Sequence, residues 1–82
     1  MSNLFNGNNI ILDKVEETLI KAKGKLTIDY SKIKYFAKEF KKIAGSGYQV
    51  SRSGVGPLVR KACNKCGILD KDPDVIEKIL KG

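Results

Sequence analysis

The stretch DYSKIKYFAKEFKKIAG, residues 29–45, decides the fold class. Tyr30, Ile33, Phe36, Ala37, Phe40, Ile43 and Ala44 recur at intervals of three and four, while Lys32, Lys34, Lys38, Lys41 and Lys42 fall on other faces. That spacing predicts an amphipathic helix with one buried stripe. Asp29 or Ser31 serves as its N-cap. Gly45 and Gly47 end it, because glycine takes the left-handed exit conformation without strain.

Towards the N-terminus, residues 25–28 form a short extended connection. Before it, Ile10, Ile11, Leu12, Val15, Leu19, Ile20 and Ala22 keep helical spacing up to Gly24, which predicts a first helix of about four turns. Residues 1–8, rich in Asn, are read as a flexible leader. Towards the C-terminus, Pro57 fits the first turn of a third helix, capped by Ser53 or Gly56, with Leu58, Val59, Ala62, Cys63 and Cys66 on its buried side. Gly67 stops that helix in the left-handed conformation, with Ile68 folding back on Cys63. Asp72-Pro73-Asp74 opens a fourth helix over about 73–81, with Asp72 as N-cap. No strand pair is predicted. The expected architecture is all-α: a small single-domain bundle of about four helices over residues 9–82, with a glycine-rich loop between the second and third.

Composition narrows the chemistry. The chain of 82 residues has no His and no Trp, so the commonest general base and metal ligand is missing, and no catalytic residue is assigned. Cys63 and Cys66 make a single CxxC, two ligands where a closed zinc site needs four. They sit in the last turn of the third helix, where the dipole opposes a thiolate, so structural thiols are the leading reading, with a redox pair or a metal shared between chains as alternatives. Asp70, Asp72, Asp74 and Glu77 lack the glycine and spacing of a calcium loop, and helix capping accounts for them. No metal, cofactor or small-molecule substrate is expected. There is no apolar run long enough to span a bilayer and no secretion signal at the start, which points to a cytoplasmic protein without a membrane partner.

Charge supplies the functional signal. The net charge is +7, yet residues 24–44 and 45–66 carry +4 each while the flanks are neutral or slightly acidic. Between Glu39 and Asp70 no carboxylate occurs. A polyanion would meet a concentrated field there, and nucleic acid is the expected partner, DNA ahead of RNA. The candidate contacts are Lys38, Lys41 and Lys42 on the second helix, Ser46, Tyr48, Gln49, Ser51, Arg52, Ser53, Gly54 and Gly56 in the loop, and Arg60, Lys61 and Lys65 on the third helix. A glycine- and serine-rich loop running into a helix N-terminus offers free amides to phosphate. Tyr35 and Tyr48 are candidates to stack on a base, and Gln49 and Arg52 are the residues suited to read base edges, so sequence preference is expected to be weak. A second expectation, from a different class, is an accessory subunit that docks on a larger replication, transcription or translation assembly.

Two motifs are partly echoed. Residues 50–61, with Ser51, Arg52, Leu58, Val59, Arg60 and Lys61, resemble the turn and recognition helix of helix-turn-helix proteins, although Pro57 would fall inside that helix. Gly54-Val55-Gly56-Pro57 resembles the hairpin of helix-hairpin-helix domains, with Arg60 where that motif has alanine. Both resemblances imply phosphate contact around this loop.

Overall fold

The computed structural model describes residues 4–45 and 49–82. Its four helices are α1 (Val15–Lys21), α2 (Tyr30–Ala44), α3 (Val55–Cys66) and α4 (Asp72–Lys81), and the fold is all-α. Three short strands, β1 (Phe5–Asn6), β2 (Asn9–Ile11) and β3 (Gln49–Ser51), add a small antiparallel sheet in the order β1-β2-β3.

The periodic stripe of α2 forms the centre of the core. Ile33, Phe36 and Phe40 are fully buried, and the Phe36 and Phe40 rings stack with centroids 5.5 Å apart. Truncating either ring to alanine is expected to cost about 3–5 kcal/mol, so packing holds this helix more firmly than its propensities do. Tyr30 departs from the stripe: it is 55% exposed, with Lys23 Nζ 5.2 Å from its ring centroid. Asp29, not Ser31, is the N-cap, its carboxylate accepting from Lys32 N at 2.9 Å. Gly45 leaves the helix at φ 95°, a backbone that favours glycine.

The first helix is the main correction. Helical spacing from Ile10 predicts four turns, but α1 has seven residues, preceded by a 3₁₀ turn at Leu12–Lys14 and by strand β2. Ile10 and Ile11 pair with Val50 and Gln49 of β3, and Ile10 is fully buried. Two β-branched residues gain a ladder and a core position there. The expectation of no strand pair is corrected with it. Phe5 and Asn6, placed by sequence in a leader, pair with Ile10 and Asn9 across a turn in which Gly7 adopts φ 64°.

α3 begins two residues earlier than Pro57, with Gly54 as N-cap and no side-chain cap, so neither Ser53 nor Gly56 fills that role. Pro57 still lies in the first turn. At the other end the structure matches the expectation: Gly67 has φ 71°, and Ile68 N donates to Cys63 O at 2.9 Å. Asp72 is not the N-cap of α4; Lys71 is. The Asp72 carboxylate, 6% exposed, instead accepts from Thr27 N at 3.2 Å and from the Thr27 hydroxyl, tying α4 to the segment before α2. No helix among the described residues is long and apolar enough to cross a membrane.

Candidate nucleic-acid interface

Folding brings carboxylates onto the stretch that lacks them in sequence. Arg60 Nη1 lies 2.8 Å from Glu77 and its Nη2 3.2 Å from Asp74, both on α4. Lys41 Nζ lies 2.6 Å from Asp13, and Lys42 and Lys65 lie 3.5 and 3.7 Å from the two oxygens of Glu39. The hydrogen bond from Lys81, then that from Arg60, holds the Glu77 carboxyl below its ordinary value, and the Lys41 bond does the same for Asp13. Arg60 and Lys41 are therefore partly neutralised within the fold.

Lys38 and Lys61 are exposed and make no ion pair among the described residues. Residues four apart share a helix face, so Lys38 aligns with Lys42 and Lys61 with Lys65. Both rows reach the same Glu39 carboxylate, which is only 7% exposed. Lys42 and Lys65 thus meet across the α2–α3 seam, with Lys61 one turn before Lys65, while Lys38 stands on the outer crest of α2 and also borders the groove towards α1. Tyr35, one turn before Lys38 and 47% exposed, stands on the same side of α2.

The loop residues divide differently. Ser46 and Tyr48, and Gly47 expected to help end α2, lie outside the described residues. The Gln49 side chain accepts from Asn9 Nδ2 at 2.9 Å, within the sheet. Ser51, Ser53 and Gly54 are exposed at the junction of β3 and α3, and the Ser51 and Ser53 hydroxyls are 2.9 Å apart. The Arg52 guanidinium stacks 4.0 Å from the Phe5 ring centroid, and its Nε is enclosed without a hydrogen-bond partner. Gly56 is buried; a Cβ there would stand 3.1 Å from Glu77 Oε2 and 3.2 Å from Arg60 Nη1, so its place is beneath the ion pair.

Neither motif resemblance carries over into three dimensions. Between Ala44 and Val55 stand strand β3 and a 3₁₀ turn at Arg52–Gly54, where a helix-turn-helix has a turn of about three or four residues. Gly54-Val55-Gly56-Pro57 is the entry to α3 and not a hairpin. The ends of α3 are nonetheless unequal. Lys32 Nζ donates to Cys66 O at 2.8 Å at its C-terminus, whereas its N-terminal amides have no side-chain cap.

Asn8, Lys81 and Phe5 join this region without any local signal in the sequence. Asn8 and Lys81 line a cleft with Ser51, Arg52 and Ser53, and Phe5 carries the guanidinium. Cys63 and Cys66 are free and buried; burial first, and then the neighbouring Cys66, pushes the Cys63 thiol up to about 12. Among the described residues no group of three His, Cys, Asp or Glu has the arrangement to hold a metal ion. The chain matches no known family, and no match was found among curated proteins or solved structures.

Proposed function

We propose that this domain binds nucleic acid through its phosphate backbone, with weak sequence preference, on the face formed by Lys38 and Lys42 of α2 and Lys61 and Lys65 of α3. One observation carries the reading: a lysine from each of two helices, Lys42 and Lys65, meets the single, largely buried carboxylate of Glu39. Two ammonium groups share one acid there, and the exposed Lys38 and Lys61 on the same two helices add charge that no ion pair offsets among the described residues, so phosphates of any sequence answer it. Tyr35 adds an exposed ring able to stack on an unpaired base. The preference is weak because the face is built of lysines, which answer any phosphate, and Gln49, a residue suited to read bases, is engaged by Asn9 within the sheet.

The test is a titration of the whole protein with duplex DNA, single-stranded DNA and RNA across a range of salt. Four phosphate contacts give a slope of log K against log salt of about −3.6 for duplex DNA, at roughly 0.9 per phosphate. An affinity indifferent to salt overturns the proposal. The arms of the titration decide which nucleic acid is preferred, with duplex DNA expected ahead of RNA.

A second reading, docking on a larger assembly, is favoured by the groove of about 580 Å³ between α1 and α2, where Leu12, Ile20 and Ala37 stand among Asp13, Glu16 and Lys34. Reversing Glu16→Lys separates the two. Lost activity in the cell with undiminished nucleic-acid binding in vitro supports docking.

A further inference from the structure

We propose that the cleft beside the start of α3 is a phosphate-ester pocket, in which Arg52 and Lys81 hold the anion and the hydroxyls of Ser51 and Ser53 supply donors. This deepens the nucleic-acid reading and rests on it only for the source of the phosphate.

The cleft has a volume of about 460 Å³ and is lined by Asn8, Ser51, Arg52, Ser53 and Lys81, so its wall holds two cations, two hydroxyls, a carboxamide and no carboxylate. Arg52 is the key group. It is partly buried, makes no ion pair among the described residues, and keeps Nε enclosed and unpartnered. An N–H of a charged group enclosed without a partner is costly, and a cation held in place without a counterion favours an anion at its remaining donors. Stacking on Phe5 fixes the plane of the group while leaving its in-plane N–H donors to another partner, the arrangement suited to a two-pronged hold on phosphate.

The remaining walls are set in advance. Arg52 N donates to Asn8 O at 2.9 Å, which fastens the β1–β2 turn to the β3–α3 junction. The Ser51 and Ser53 hydroxyls face each other at 2.9 Å; that pair uses one hydroxyl hydrogen and leaves the other to donate outward. Lys81 Nζ lies 3.0 Å from Glu77, which also serves Arg60 at 2.8 Å; with Asp74 on Arg60 this cluster is balanced, and the uncompensated charge at the cleft is that of Arg52. The uncapped first turn of α3 adds a favourable dipole.

The experiment is a ¹H–¹⁵N NMR titration of the full chain with inorganic phosphate, and with short oligonucleotides carrying or lacking a 5′-phosphate. Phosphate is expected to move the resonances of Asn8, residues 51–54 and the Arg52 Nε–H. Arg52→Ala and, separately, Lys81→Ala are each expected to weaken phosphate binding roughly tenfold or more. Lys81→Ala keeps the test decisive if Arg52→Ala does not fold. Tighter binding of the 5′-phosphorylated oligonucleotide identifies a terminal monoester as the occupant, and equal binding an internal diester. Undiminished phosphate binding in folded Lys81→Ala, or shifts confined to the α2–α3 lysines, overturns the pocket. Oligonucleotides that bind both variants as tightly as the parent protein overturn it and leave the α2–α3 face standing. Saturable phosphate binding in the cleft without oligonucleotide binding does the reverse.

Discussion

Arg60 Nη1 of α3 lies 2.8 Å from Glu77 Oε1 of α4, with Gly56 directly beneath the pair. Glu77 is in turn 3.0 Å from Lys81 Nζ, and Arg60 Nη2 is 3.2 Å from Asp74, so one arginine and one glutamate join the two helices into a charged clamp. The clamp takes Arg60 out of the free positive charge. It also fixes α4, and with it Lys81, beside the cleft.

Lys38→Ala with Lys61→Ala removes two cations that have no ion pair among the described residues. The magnitude of the salt slope for duplex DNA is expected to fall by about 1.8, at roughly 0.9 per phosphate. Arg60→Ala is expected to change the slope less and the stability more, since it leaves Glu77 and Asp74 without their partner. A drop in slope as large for Arg60→Ala as for the lysine pair shows that the arginine faces the ligand after all.

The clamp also predicts a response to acid. Lys81 and Arg60 hold the Glu77 carboxyl below its ordinary value of 4.5, and Lys41 holds Asp13 below 3.8. A depressed carboxyl contributes stability above its unfolded value, and that contribution is lost as pH falls through the folded one. The melting temperature is therefore expected to fall between about pH 6 and about pH 3, less steeply in Glu77→Gln. Identical slopes for the two proteins refute the assignment to Glu77.

Asp72→Ala is expected to destabilise the protein by roughly 1.5–3 kcal/mol in a denaturant titration, because it strips the Thr27 amide and hydroxyl of their charged acceptor. Asp72→Asn retains an acceptor and is expected to cost less. If Asp72→Ala is neutral, the Thr27 link contributes nothing to holding α4.

Cys63, raised from an ordinary 9.0 to about 12, holds roughly a thousandfold less thiolate than an ordinary cysteine at neutral pH, and burial shields it further. Neither thiol is expected to react promptly with a disulfide reagent until the protein is unfolded, and Cys63→Ala with Cys66→Ala is expected to cost roughly 1–3 kcal/mol while leaving nucleic-acid binding intact. Fast labelling of the folded protein, or stoichiometric zinc in it, contradicts this.

What the sequence determined by itself is the set of features that depend on neighbours along the chain. The 3.6-residue period of Ile33, Phe36, Ala37 and Phe40 located α2 and its buried face, and Gly45 ended it; its start was narrowed to Asp29 or Ser31, and the structure selects Asp29. Gly67 and Ile68 closed α3 by a bond five residues back, also within local reach. Tertiary structure decided the rest. Ile10 and Ile11 fit a helical period as well as a strand, and the partner that settled the matter, β3, lies some forty residues away. The same holds for charge. Local reading counts lysines and arginines along a segment, but a field is set by distances in space, and only the fold brought Glu77 to Arg60, Glu39 to Lys65, and Asn8 and Lys81 to Arg52. The glycine exits of α2 and α3 are written in adjacent residues, whereas the N-cap expected of Asp72 gave way to its bond with Thr27, and ion pairs and clefts are made by chain crossings that no periodicity records.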